Sequence, residues 1–171
     1  MLFNLIILLI ILFLLFLLSM VWPPDSPWAP WWRTSKKTAR KMCNLAKVKK
    51  NDLIIDLGSG DGTALITAAK EFGAKGIGIE IDPFRYFVSK LLLKINLGSN
   101  EVKFIRGNLF DQNLSKADVV FVYLVPKTLE KLLPKFKKEL KKGTRIISYR
   151  YKIDLKLKEY DRKNEIRLYV I

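Results

Sequence analysis

Leu53 to Asp82 read LIIDLGSGDGTALITAAKEFGAKGIGIEID. Leu53 to Leu57 is a short apolar run with β-branched character that stops at Gly58-Ser59-Gly60-Asp61-Gly62. Ala64, Ile66, Ala68 and Ala69 then lead into a helix, so the order is strand, glycine turn, helix. A second apolar run, Ile77 to Ile81, carries Glu80 about twenty residues past the glycines, the distance at which a carboxylate on the next parallel strand meets a ribose. The stretch predicts a nucleoside-binding βαβ unit.

Spacing and charge narrow the nucleoside. A dinucleotide fingerprint wants its third glycine where this chain has Thr63; here the glycines fall at 58, 60 and 62. Asp56 and Asp61 bracket the loop with carboxylates, which repel a pyrophosphate on the helix N-terminus. They suit a cofactor that is cationic and free of phosphate. S-adenosylmethionine has a sulfonium, an ammonium and an adenosine whose hydroxyls Glu80 can accept. The glycines then allow close backbone approach and left-handed turns.

The motifs D-L-G-S-G-D-G (56–62) and G-I-E-I-D-P (78–83) resemble the first two motifs of class I methyltransferases. Within that class the chain is most similar to the seven-strand protein-lysine methyltransferases, such as the crenarchaeal lysine methyltransferase. The mitochondrial enzymes that modify adenine nucleotide translocase and the ATP synthase c-subunit belong to the same branch. The resemblance extends from about Pro27 to Ile171. It implies a three-layer α/β, Rossmann-like fold on a mostly parallel seven-stranded sheet. It also implies a cofactor set of Asp56, Gly58, Ser59, Gly60, Asp61, Gly62, Glu80, Ile81, Asn108 and Leu109.

Composition limits the chemistry. The chain has 171 residues, enough for one domain with a proper core, and a net charge of +15 that points to an anionic neighbour such as lipid headgroups or nucleic acid. It contains no histidine, which removes histidine as base, nucleophile or metal ligand. One cysteine, Cys43, excludes an internal disulfide and a multi-cysteine zinc site. No metal is expected.

Leu2 to Val21 is apolar apart from Asn4 and Ser19 and, as a helix, would rise about 30 Å, the thickness of a bilayer core. The expectation is an uncleaved transmembrane anchor over 1–22. Positive charges follow it at Arg33, Lys36, Lys37, Arg40 and Lys41, so a single-pass cell-membrane protein with a cytoplasmic catalytic domain is expected. Residues 23–33 read as a Pro/Trp-rich linker, and 34–171 as the methyltransferase domain. Trp22 and Trp28 suit an interfacial belt. Ala29 to Ser35 resembles the aromatic-proline stretch that the lysine methyltransferase branch places over methyl donor and target lysine, with Arg33 where that branch has proline. The resemblance makes Trp31 and Trp32 candidate catalytic-site residues.

Thr34 or Ser35 caps a helix with Ala39, Met42, Cys43 and Ala46 on its apolar side. Its basic face serves equally as a lipid contact or a solvated surface. Pro83 opens a helix whose Phe84, Phe87, Val88, Leu91 and Leu92 read as a packing stripe. Asn108 holds the position that reads adenine in related enzymes, and beside Gly107 it is also a natural turn residue. Asp118 to Leu124 is a buried-type strand. It ends in Tyr123-Leu124-Val125-Pro126, where base-amine methyltransferases carry Asn or Asp, two prolines and an aromatic. Y-L-V-P with K-T-L-E-K-L-L-P-K-F after it resembles the lysine branch, and places Tyr123 nearest the methyl; as an aromatic core residue it has an equally simple reading.

The expected function is therefore S-adenosylmethionine-dependent N-methylation of a lysine on a protein substrate, expected to be membrane-embedded. An RNA methyltransferase and a non-catalytic S-adenosylmethionine-binding membrane scaffold are the alternatives.

Overall fold

A computed structural model describes residues 2–21, 32–97 and 101–171, with the side chains of the first helix described over 3–16. The chain divides into two compact units, Met1–Trp32 and Arg33–Ile171. The first contains α1 (Leu2–Val21). The expected transmembrane anchor, and the single-pass membrane placement with a cytoplasmic body, are corrected here: among the described residues no helix is long and apolar enough to cross a membrane. Trp22, Trp28 and Trp31 lie outside the described residues, while Trp32 is half exposed.

The second unit runs α2 (Lys36–Leu45), β1 (Leu53–Leu57), α3 (Thr63–Phe72), β2 (Lys75–Glu80), α4 (Pro83–Asn96), β3 (Val102–Arg106), a 3-10 turn (Leu109–Asp111), β4 (Val119–Val122), α5 (Pro126–Glu139), β5 (Arg145–Tyr149), β6 (Leu157–Asp161) and β7 (Ile166–Val170). The seven strands form one sheet in the order β3-β2-β1-β4-β5-β7-β6. β1 to β5 pair in parallel, and β7 runs against both β5 and β6. The sheet, expected to be mostly parallel, is mixed, with four parallel strand pairings and two antiparallel ones. The cause is local: residues 162–165 join β6 to β7, and so short a connection can join only antiparallel strands.

Alternation along the strands divides the core between two faces. Ile54, Val119 and Phe121 pack with Ala39, Met42, Cys43 and Leu65 of α2 and α3, and Leu92 and Leu93 of α4 join them. Ile55, Val120 and Val122 pack on the other face with Leu129, Leu132 and Phe136 of α5. Cys43 is buried and its thiol is pushed up to about 12 by burial, then by the charge of Glu71, which leaves it a small core residue. α2 is capped by the Ser35 hydroxyl, which accepts from the Thr38 amide at 3.1 Å.

α4 departs from its expected packing stripe. Its buried side carries Arg85 and Ser89, while Phe84, Phe87, Leu91 and Ile95 are exposed. Period alone could not tell which side of this helix would meet the sheet, because apolar residues run nearly all round it.

Candidate active site

In an open α/β sheet, ligands bind outside the carboxyl ends of the strands where the strand order reverses. Here that point lies between β1 and β4, with Leu57 opposite both Ile79 of β2 and Val122 of β4. The glycine loop leaves β1 there. The Gly58 and Ser59 amides both donate to the Ile79 carbonyl at 2.9 Å, and the Gly62 amide donates to the Ser59 carbonyl at 2.9 Å. Gly58 and Gly62 sit at φ +82° and +78°, the left-handed region that penalises a side chain.

Sterics explain these glycines as much as ligand approach does. A Cβ on Gly62 would lie 2.3 Å from Phe104 Cζ, and one on Gly78 would lie 2.4 Å from Phe104 Cδ1. The Phe104 ring thus underlies the loop and fixes its height above the sheet. Gly62→Ala is expected to destabilise by about 3 kcal/mol, the left-handed penalty plus overpacking. Gly143→Ala, also left-handed at φ +91° but facing open space, should lose only the conformational part, about 1 kcal/mol. Urea denaturation of the two variants checks the difference.

Three carboxylates surround the loop, all buried. Glu80, ending β2, accepts from the Gly60 amide at 2.8 Å on Oε2 and from the Asp82 amide at 3.0 Å on Oε1. Each oxygen has a further lone pair, so Glu80 holds the loop and still offers acceptors. Asp56, in β1, is pushed up to about 7 by burial first, then by the charges of Glu80 and Asp61. Asp61 accepts from the Thr63 amide at 3.1 Å and from Arg33, whose Nε and Nη2 lie 2.7 and 2.6 Å from Oδ2. The charge expected of Asp61 toward a cationic ligand is therefore already compensated by Arg33.

The site fits S-adenosylmethionine. Its carboxylates favour a cation, its Glu80 oxygens can accept ribose hydroxyls, and the buried Ser59 hydroxyl has no hydrogen-bond partner among the described residues. Ile81, just past β2, is exposed. Asn108 is exposed and caps the 3-10 turn, accepting from the Phe110 amide at 3.1 Å. That bond uses one of the two lone pairs on its side-chain oxygen, and Leu109 packs partly into the core. Tyr123 follows β4 and is half-buried, with its phenol pushed up to about 12 chiefly by burial. Trp32 ends the first compact unit.

Sequence reasoning missed four residues: Arg33 on Asp61, Phe104 beneath the loop, and Tyr149 and Tyr151, which stand beside Tyr123. A strand order placing β5 next to β4 would have found the tyrosines.

This fold and glycine-loop site define an S-adenosylmethionine-dependent methyltransferase. A family model described as the ANTKMT methyltransferase domain matches residues 56–158, and the chain belongs to that family. It is similar to the protein-lysine N-methyltransferase of Saccharolobus islandicus (strain REY15A), 35% identical over 153 residues that cover 85% of this chain and 95% of that protein. With the ATP synthase c-subunit lysine N-methyltransferase of Xenopus laevis it is 28% identical over 125 residues, 73% of this chain and 53% of that one. The chain thus spans about half the length of this second relative. Among solved structures, an RNA methyltransferase from Salinibacter ruber in complex with S-adenosyl-L-homocysteine superposes with a TM-score of 0.79 at 34% identity, covering 82% of this chain and 94% of that one.

Proposed function

We propose that the protein methylates the side-chain amine of a lysine in a protein substrate. The observation that carries this reading is the likeness to the Saccharolobus islandicus protein-lysine enzyme across nearly the full length of both chains. The end of β4 supports it, because Tyr123-Leu124-Val125-Pro126 presents a phenol where base-amine enzymes present a carboxamide or carboxylate.

When bound, the donor supplies an electrophilic methyl on its sulfonium. The chain's own residues bind and orient: Glu80 holds the loop and accepts hydroxyls, Asp56 faces the cationic part, and Tyr123 is the polar side chain nearest the acceptor. Attack by an amine needs a free lone pair, whereas a lysine has an unperturbed pKa near 10.4. A half-buried aromatic wall disfavours the ammonium by desolvation. Proximity and orientation then provide most of the rate.

RNA is the second reading, favoured by the Salinibacter ruber relative and by the net charge of +15. One experiment separates the two. The purified enzyme is incubated with tritiated donor and a whole extract of the source organism, and the product is split between protease and nuclease. The protein-lysine reading expects label that nuclease leaves intact and protease releases; nuclease-sensitive label would replace it with the RNA reading.

A further inference from the structure

β4 and β5 run side by side with Val122 opposite Ser148, so Tyr123 and Tyr149 stand next to each other at the carboxyl edge of the sheet. Gly58 lies against the same segment, since a Cβ there would meet Leu124 Cδ2 at 3.0 Å. The Tyr123 and Tyr149 ring centroids are 4.6 Å apart, and Tyr151 stacks 6.3 Å from Tyr123.

A strained turn brings in the third tyrosine. The Tyr151 amide donates to the Tyr149 carbonyl at 2.8 Å around Arg150, whose φ is +65°. A hydrogen bond spanning two residues, with positive φ between them, marks the strained form of γ-turn, and arginine ordinarily avoids that region. Such strain persists only where the surroundings hold it, and it clusters at functional sites. Here the Arg150 amide donates to the Glu165 carbonyl at 2.8 Å, and the Arg150 carbonyl accepts from Arg167 Nη1. The Ser148 hydroxyl donates to the Tyr151 carbonyl at 2.6 Å. The guanidinium is thereby set over two rings, 5.8 Å from the centroid of Tyr123 and 5.6 Å from that of Tyr149.

We propose that Arg150, seated on Tyr123 and Tyr149, is a further residue of the acceptor site and keeps the incoming lysine amine in its neutral form, with Tyr151 walling the alkyl chain. The proposal rests on the protein-lysine reading above. Tyrosine faces attract cations, so these rings alone would hold the acceptor as its unreactive ammonium. A permanent cation already on them reverses that preference, because a like charge and desolvation both favour the neutral amine. The groups facing the guanidinium are Tyr123, Tyr149 and Glu165, whose Oε2 lies 3.5 Å from Arg150 Nε. Arg167 stands behind, its own guanidinium over the Tyr160 ring at 4.2 Å and donating to the Tyr160 hydroxyl at 2.9 Å. In the transfer the nitrogen lone pair forms the N–C bond as the C–S bond breaks with its electrons left on sulfur. The proton shed before attack, and the one lost from the methylated product, both go to water.

The test is the pH dependence of kcat, which reports ionisations in the bound complex. Tritium transfer into protein is measured at extract concentrations that saturate the rate, for variants whose thermal melting and donor affinity match the wild type. Arg150→Gln should move the acid limb up by about one pH unit or more, toward the unperturbed lysine value. Arg150→Lys keeps a cation and should leave the limb near the wild-type position. Glu165→Gln removes the compensating charge and should move it down, which tests the proposal even if Arg150→Gln does not fold. A limb unmoved in Arg150→Gln, or unmoved in Glu165→Gln where only that variant folds, would overturn the proposal while leaving the lysine reading standing. No protein label from the wild-type enzyme would remove the lysine reading, and the proposal with it.

Discussion

Asp56→Asn should make the ligand-free enzyme more stable at pH 8 and at the same time unable to bind its methyl donor well. The carboxyl of Asp56 is buried near Glu80 and Asp61 and is raised from 3.8 to about 7. Between those values the folded chain holds a proton that the unfolded chain has released, so stability falls as pH rises from about 4 to about 7. Above that the penalty is complete, roughly 4 kcal/mol for a shift of about three units. The asparagine removes it. Melting temperatures of wild type and variant should coincide near pH 4 and separate by several degrees at pH 8, with the variant higher. The donor's positive charge favours the ionised carboxylate, so wild-type binding should release a proton and tighten as pH rises through about 7. Calorimetry should find that dependence lost in Asp56→Asn, with affinity at pH 8 lower by roughly a hundredfold, the scale of one buried charged interaction. A variant that melts lower at pH 8, or binds as the wild type does, would contradict this role.

Glu80→Ala should have an effect of similar size by another route. Its carboxylate accepts two backbone amides, those of Gly60 and Asp82, which hold the glycine loop and the entry to α4. Hydrogen bonds to a charged group are worth about 1.5–3 kcal/mol each when removed. The variant thus loses the loop geometry as well as the acceptor of the ribose hydroxyls, and donor affinity should fall by about 2 kcal/mol or more. Glu80→Gln keeps a carbonyl oxygen for one amide only, and should lie between. Calorimetry on folded protein measures both; unchanged affinity in Glu80→Ala would mean that the carboxylate serves the loop alone.

Local chemistry was legible in the sequence because it is written in consecutive residues. The strand expected over Leu53 to Leu57 is β1, and the glycine turn and the helix after it follow in register. Contacts between distant elements were not legible. Arg33 reaches Asp61 across 28 positions, and nothing in either neighbourhood announces the pair. Phe104 reads as an ordinary strand residue, yet its ring decides why position 62 is glycine. The tyrosines at 123, 149 and 151 converge only because β5 lies beside β4 and the chain turns at Arg150. The anchor expected of the apolar N-terminal run is not met, since among the described residues no helix is long and apolar enough to cross a membrane.

The most direct test is to hydrolyse tritium-labelled protein to amino acids and identify the residue that carries the label. The proposed function predicts label that co-elutes with Nε-methylated lysine. Label on a methylated arginine or carboxyl side chain, or none in protein while nucleosides are labelled, would contradict it.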